Sequence, residues 1–195
     1  MVLKPIFNLE KGITLIEIVV VIFITILFSM MVISDFPKIQ KQHALSAVTY
    51  KLAQDLRRVE DMGLSGVIMK DKNEEPIKAQ GYGLYITSSS SLYFIYADVD
   101  GNKKYSPGQY CDFSGRNPND DCIIEATDVS KQSSSISITG FIPSASQVSI
   151  NFNPPGPTTT ITTDGMSRPS IEINIGNGST TRKIQVNNSG LINVQ

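Results

Sequence analysis

Glu17 is the one charged residue in an otherwise apolar run that extends from Ile13 to Ile33. A carboxylate inside a lipid bilayer costs about 2.5 kcal/mol or more, so an acid in such a run indicates a function by default. A cationic partner would neutralise this acid, whereas a protonated carboxyl group, or one that reaches the headgroup layer, would need no partner. The first chemistry to consider in this chain is therefore the pairing of one intramembrane charge.

The run itself predicts a membrane-spanning helix. Roughly 20 apolar residues, with a rise of about 1.5 Å each, cover a hydrocarbon core of about 30 Å. Lys4 and Lys11 precede the run, which predicts a cytoplasmic N-terminus and an outer location for the rest of the chain. A secretory signal would be shorter and followed by small residues, whereas Ser34-Asp35-Phe36-Pro37 follows here. We expect the span to cover residues 13–34.

The residues around Glu17 resemble the N-terminus of type IV pilins and pseudopilins. That family has a short basic leader ending in Gly, then an apolar residue, Thr, Leu, a branched residue and Glu; here the sequence is Lys11-Gly12-Ile13-Thr14-Leu15-Ile16-Glu17. The resemblance implies a leader of residues 1–12, cleavage between Gly12 and Ile13 by a prepilin peptidase, and N-methylation of Ile13. Phe is commonest in the family where this chain has Ile13, and the substitution keeps the apolar character.

The resemblance also implies a partner for Glu17. Cleavage would leave Ile13 with a cationic amino group at a helix N-terminus, where the helix dipole adds positive charge. In a filament of staggered parallel helices, Glu17 of one subunit would meet this amine of its neighbour, and breaking such a buried pair costs about 3–5 kcal/mol. The implied partners are other pilin or pseudopilin subunits, the prepilin peptidase, the inner-membrane assembly platform and membrane lipid. The implied location is the bacterial inner membrane, with an extracytoplasmic C-terminal domain, and then the filament.

The chain after the run predicts an α+β domain. Between residues 35 and 66, apolar residues recur at three- and four-residue steps, as in an amphipathic helix that continues from the span. Residues 67–195 show short apolar alternations bounded by Gly, Pro, Asn or Ser, which are typical of antiparallel strands with one wet face. The long helix is expected to pack its apolar stripe on the resulting sheet.

The C-terminal half resembles the H-type minor pseudopilins of type II secretion and related minor pilins. Two segments carry the likeness: Tyr93-Phe94-Ile95-Tyr96-Ala97-Asp98-Val99-Asp100-Gly101-Asn102 and Ile184-Gln185-Val186-Asn187-Asn188-Ser189-Gly190-Leu191-Ile192-Asn193-Val194. The resemblance implies a structural minor subunit of a type II secretion pseudopilus or a type IV pilus-like filament for protein secretion.

The alternative within the same class is a minor pilin of a DNA-uptake or adhesion pilus. DNA-binding relatives carry arginines beside the C-terminal glycine, where this chain has Leu191 and Asn193. Without those arginines, the phosphate contacts that drive non-specific DNA binding are missing. The net charge of −1 also gives no electrostatic indication of general nucleic-acid binding, so no nucleic-acid partner is expected.

Asp98, Asp100 and Asn102 are candidate calcium ligands by residue type. An EF-hand loop needs Gly at its sixth position and Glu at its twelfth, but Lys103 and Gln109 occupy those positions. Asp, Gly and Asn are also preferred turn residues without any metal. A plain turn is therefore expected ahead of a metal site, and no cofactor is predicted.

Cys111 and Cys122 are the two cysteines of the chain, and both follow the span. In an oxidising compartment we expect them to pair, and closing so short a loop stabilises a fold by roughly 2–3 kcal/mol. Two free thiols are the alternative. A zinc site is disfavoured because the single histidine, His43, is distant in sequence.

A membrane-anchored enzyme is the distant alternative function. The sequence has no G-x-S-x-G elbow, no paired metal-ligand motif and no phosphate-binding loop. With one histidine, an acid–base site would have to use carboxylates, and most of those fall in turn-like or helix-surface positions. We therefore expect a protein that is not an enzyme.

Overall fold

The computed structural model describes residues 12–70, 73–113, 117, 119–131, 133–154 and 158–195. At residues 34 and 35 it describes the backbone alone. Of the predicted leader, Gly12 is described, and residues 1–11 lie outside the described residues. The chain divides into two compact units, Met1–Gln40 and Lys41–Gln195.

A single helix, α1 (Leu15–Ser65), contributes to both units. In its first part the hydroxyls of Thr25 and Ser29 donate to helix carbonyls one turn earlier, over 2.8 Å each. These bonds satisfy polar side chains within an apolar run. α1 is long and apolar enough to cross a membrane, and none of its most apolar stretch is buried within the protein. The prediction of one N-terminal helix able to span a bilayer is confirmed.

The second part of α1 is amphipathic and belongs to the second unit. Its apolar side chains recur at three- and four-residue steps and are at most 3% exposed: Leu45, Val48, Leu52, Leu56 and Val59. Burial of each such side chain contributes about 1.5–3 kcal/mol. The helix ends at Ser65, and Gly66 follows with a φ of 60°, the left-handed conformation in which glycine commonly ends helices.

Twelve strands follow the helix among the described residues. In chain order they are β1 (Met69–Lys70), β2 (Pro76–Ile77), β3 (Gly81–Thr87), β4 (Leu92–Asp98), β5 (Cys122–Asp128), β6 (Ser137–Ile142), β7 (Gln147–Asn153), β8 (Thr158–Thr163), β9 (Met166–Arg168), β10 (Ser170–Gly176), β11 (Thr181–Asn187) and β12 (Ile192–Val194). Six form one sheet in the order β5-β4-β3-β7-β8-β9, four form a second in the order β12-β11-β10-β6, and β1 pairs with β2. Each pairing between these strands is antiparallel.

One apolar cluster joins the amphipathic part of α1 to both large sheets. Alternate residues of the strands enter it, as the cross-strand pairs Leu84–Ile150 and Ile173–Ile184 illustrate. The α+β class, with one long N-terminal helix and a mainly antiparallel β domain, is confirmed. The domain has two large sheets where the alternations suggest one.

Candidate functional site

The predicted cleavage site lies in an exposed segment before the helix. Residues 12–14 are not helical, and Gly12 and Ile13 are both exposed. Exposed backbone outside regular secondary structure is the preferred substrate of peptidases. The geometry around the Gly12–Ile13 bond is therefore compatible with cleavage there.

Thr14 caps the helix and places Glu17 in its first turn. The backbone N–H of Glu17 donates to the Thr14 hydroxyl over 3.3 Å and to the Thr14 carbonyl over 3.1 Å. Thr14 and Glu17 have the spacing of a capping box, in which the acid lies beside the positive end of the helix dipole. A carboxylate in that position is generally favourable by about 0.3–1 kcal/mol.

The surface of α1 from Ile18 to Ile33 is apolar on nearly every side, interrupted by Thr25 and Ser29. Large apolar side chains between Ile18 and Ile33 are 44% to 71% exposed. Soluble monomers rarely expose a contiguous apolar patch larger than a few hundred Å². A helix that is hydrophobic all round is typical of a membrane span or of a position among other apolar surfaces.

The β domain brings three carboxylates together at the end of β4. Asp98 and Asp121 are fully buried and Asp100 is exposed, and one carboxylate oxygen from each lies within 4.8 Å of the others. Asn102, the remaining predicted candidate, donates its side-chain amide to Asp100 over 2.6 Å. The sequence pattern does not point to Asp121, because its approach depends on the pairing of β5 with β4.

The two buried carboxylates hold the loop that follows β4. Four backbone N–H groups donate to them over 2.7 to 3.0 Å: those of Gly101 and Lys103 to Asp98, and those of Val99 and Ser106 to Asp121. Carboxylate oxygens in such a group are also ligands that hard divalent cations prefer. In this structure, Asp98 and Asp121 accept hydrogen bonds from the backbone of the turn and loop that follow β4.

Burial of these acids, and then their proximity to other carboxylates, raises their pKa values. Burial, and after it the charge of Asp121, raises the pKa of Asp98 to about 6. Burial also raises the pKa of Asp121. Because two neighbouring carboxylates repel each other when both are ionised, the pair holds a proton more readily than two separate acids do.

Cys111 and Cys122 form a disulfide, with their Cα atoms 4.9 Å apart. Both residues are buried. The backbone N–H of Cys111 also donates to the carbonyl of Ile123 over 2.9 Å, so the chain before the closed loop lies along β5. The pairing expected from the sequence is present in the structure.

A buried polar contact between α1 and β4 was not predicted from the sequence. Asp55 is 5% exposed, and its Oδ2 atom accepts hydrogen bonds from the Tyr93 hydroxyl over 2.5 Å and from the Lys51 ammonium over 3.0 Å. Burial, followed by the bond to Asp55, raises the pKa of Tyr93 far above its usual value. The helical periodicity places Asp55 among surface positions, and no short motif connects it to Tyr93.

The predicted site residues thus fall into two groups. Gly12 and Ile13 lie just before α1 and Glu17 lies in its first turn, while the disulfide and the candidates Asp98, Asp100 and Asn102 lie in the β domain. No family model, curated protein or solved structure matches the chain.

Proposed function

We propose that this chain is a structural, non-catalytic subunit of a type IV pilus-like filament. A prepilin peptidase cleaves it between Gly12 and Ile13, and Ile13 is then N-methylated. Within this class we assign it to the H-type minor pseudopilins, which take part in type II protein secretion. The observation that supports the proposal is one continuous element: an exposed Gly12–Ile13 bond, Glu17 in the first helical turn, and an apolar, exposed helix surface up to Ile33.

Cleavage supplies the positive charge that the apolar helix lacks. Hydrolysis of the Gly12–Ile13 bond leaves a carboxylate on the leader and an amine on Ile13, at the start of α1. In the filament this amine pairs with Glu17 of a neighbouring subunit, because each charge alone is costly in an apolar core. The remaining surface of α1 is covered by neighbouring helices, which replace the lipid.

The C-terminal hairpin favours secretion over DNA uptake. Leu191 is 64% exposed at a position where DNA-binding relatives carry arginine. Lys183 lies close by in sequence, and its ammonium contacts the Glu172 carboxylate over 2.7 Å. A cation that is already paired is a poorer phosphate ligand, so Arg182 and Lys183 together are a weak substitute for the two arginines of DNA-binding family members.

The mature N-terminus tests this proposal directly. Mass spectrometry of the full chain, expressed with and without a prepilin peptidase, is expected to show an N-methylated Ile13 terminus only when the peptidase is present. A protein that keeps Met1, or that is cut at another bond, would contradict the assignment.

Testing the role of Glu17 requires a variant that removes the charge but keeps the shape of the side chain. Glu17→Gln keeps the size of the side chain, so processing should continue while recovery of the protein in sheared filaments falls at least about tenfold, the effect of losing roughly 1.4 kcal/mol or more per contact. Glu74→Gln, an exposed acid of the β domain, is the matched control and should assemble normally. Normal assembly of the Glu17 variant would refute the charge-pair mechanism.

A further inference from the structure

A cavity of about 270 Å³ opens on the six-stranded sheet, on the face turned away from the apolar cluster. Side chains of three neighbouring strands, of the loop after β4 and of the β8–β9 turn line it: Tyr85, Lys104, Tyr105, Gln147, Thr162 and Asp164. Neither the predicted membrane anchor nor the proposed assembly site uses any of these residues.

Aromatic rings form one wall of this cavity. The ring centroids of Tyr85 and Tyr105 lie 4.6 Å apart at an angle of 38°. Phe94 stacks beside both rings, with centroids 6.4 Å from Tyr85 and 6.3 Å from Tyr105. A wall of packed rings offers an apolar, rigid surface against which a ligand can bury C–H groups.

The buried carboxylates described above hold this wall in place. Asp98 and Asp121 bind the backbone of the loop that carries Tyr105, through Lys103 and Ser106 on either side of it. The N–H of Tyr105 itself donates to the Ser149 hydroxyl over 3.0 Å. The loop is therefore fixed before any ligand arrives, which lowers the entropic cost of binding.

Polar groups of both kinds surround the aromatic wall. The Tyr85 hydroxyl donates to Oε1 of Gln147 over 2.7 Å, a geometry that leaves the Gln147 amide N–H groups as donors. The carboxylate of Asp164 accepts from the hydroxyl and N–H of Ser146 and from the N–H of Gln147, and the Ser146 hydroxyl bond lowers its pKa. Asp164 thus presents an ionised acceptor, while Lys104 adds a cationic donor on the same rim.

We infer that this cavity binds a single pyranose ring of a carbohydrate. The ring lies between the Tyr85–Tyr105 wall and the side chains of Gln147 and Asp164. A sugar ring has an apolar C–H face for the aromatic wall and hydroxyls that both donate and accept. The rim carries one cation and one anion, Lys104 and Asp164, so it has no net preference for a charged ligand of either sign. The volume is below the roughly 300–1,000 Å³ of pockets for drug-sized ligands, which fits one small ring.

Saturation-transfer NMR on the full-length protein tests this assignment. The protein is held in lipid nanodiscs, because glycoside detergents would compete for the cavity. The probes are the methyl glycosides of glucose, galactose, mannose and N-acetylglucosamine. At least one is expected to bind with a dissociation constant below about 10 mM. Absence of saturation transfer to all four would overturn the inference.

Two variants locate the binding. Gln147→Ala removes the amide, and Asp164→Asn removes the charge while keeping a residue that tolerates the φ of 47° at this turn. Each should weaken binding at least about fivefold, the effect of one lost hydrogen bond to a polar or charged group. Gln185→Ala and Asp128→Asn, outside the cavity, are the matched controls and should bind as the parent protein does. Binding that neither cavity variant changes would also overturn the inference.

Discussion

Removal of the Tyr93 hydroxyl is expected to destabilise the β domain without disturbing its packing. Tyr93 is 1% exposed, and its hydroxyl donates over 2.5 Å to the carboxylate of Asp55, which is itself 5% exposed. In Tyr93→Phe the ring remains, but the buried carboxylate loses one of its two side-chain donors and keeps only Lys51. A hydrogen bond to a charged group is worth about 1.5–3 kcal/mol, so a loss of this size is expected.

Thermal unfolding of the full-length protein measures this loss. For a domain of 150–250 residues each kcal/mol shifts the midpoint by about 2–4 °C, so Tyr93→Phe should unfold roughly 3–12 °C below the parent protein. Tyr50→Phe removes the hydroxyl of a tyrosine that is 54% exposed, and it should change the midpoint by less than about 2 °C. If the two variants unfold together, the Tyr93–Asp55 bond does not contribute to stability and the reasoning fails.

A double-mutant cycle separates this bond from other effects of the substitution. Asp55→Asn alone should also destabilise, because it weakens the contacts with both Tyr93 and Lys51. The double variant should lose less than the sum of the two single losses, with a coupling of about 0.5–3 kcal/mol for residues in direct contact. Strict additivity would show that the two side chains act independently.

Three further predictions concern other parts of the chain. Replacing both Cys111 and Cys122 by Ser should lower the free energy of unfolding by roughly 2–3 kcal/mol, because their disulfide closes a short loop with a sequence separation of 11. Denaturant titration measures this change, and a change below about 0.5 kcal/mol would contradict the prediction. Because the pKa of Asp98 is raised to about 6, its contribution to stability is fully present below about pH 4 and is lost as the pH rises through 6. The free energy of unfolding should fall between about pH 4 and pH 6 by a component that Asp98→Asn removes, and an identical slope in both proteins would refute this. Thr14→Ala should cost the start of α1 about 1 kcal/mol, which raises amide exchange at Glu17 about fivefold, while Thr14→Ser should leave the exchange unchanged.

The periodic parts of the fold are predictable from the sequence. The apolar stripe from Leu45 to Val59 and the alternations of β10 and β11 are buried as their spacing predicts. In β7 the apolar residues are buried too, but the intervening polar residues Ser149 and Asn151 are also buried, so the expected wet face is absent there. Each of these elements has one apolar face, and the apolar residues of that face repeat in the sequence with the period of the helix or strand. The Cys111–Cys122 pair was predictable for a different reason, since the chain has no other cysteine.

The polar contacts of the β domain were not predictable in the same way. β5 has Glu125 within its apolar run, ends with Thr127 and Asp128, and is irregular opposite Ile95 and Tyr96, so its sequence lacks a clean alternation. The approach of Asp121 to Asp98 follows from that pairing. Asp55 and Tyr93 are 38 positions apart, and only the packing of α1 on β4 brings them together. Contacts of this kind depend on tertiary structure and have no local period.

The two parts of α1 differ in whether their apolar side chains are buried within the chain. This difference allows effects on folding to be distinguished from effects on assembly. The part beyond Gln40 buries its stripe against strands of its own chain, whereas the part from Ile18 to Ile33 leaves its side chains exposed. Substitutions at Glu17 should therefore leave the thermal midpoint of the β domain unchanged while they affect assembly. Tyr93→Phe should have the opposite effect: the thermal midpoint falls, while cleavage still produces Ile13 as the new N-terminus. A Glu17 variant that lowered the midpoint as much as Tyr93→Phe would show that the first part of α1 stabilises the domain, and the assembly defect could then no longer be assigned to a lost charge pair.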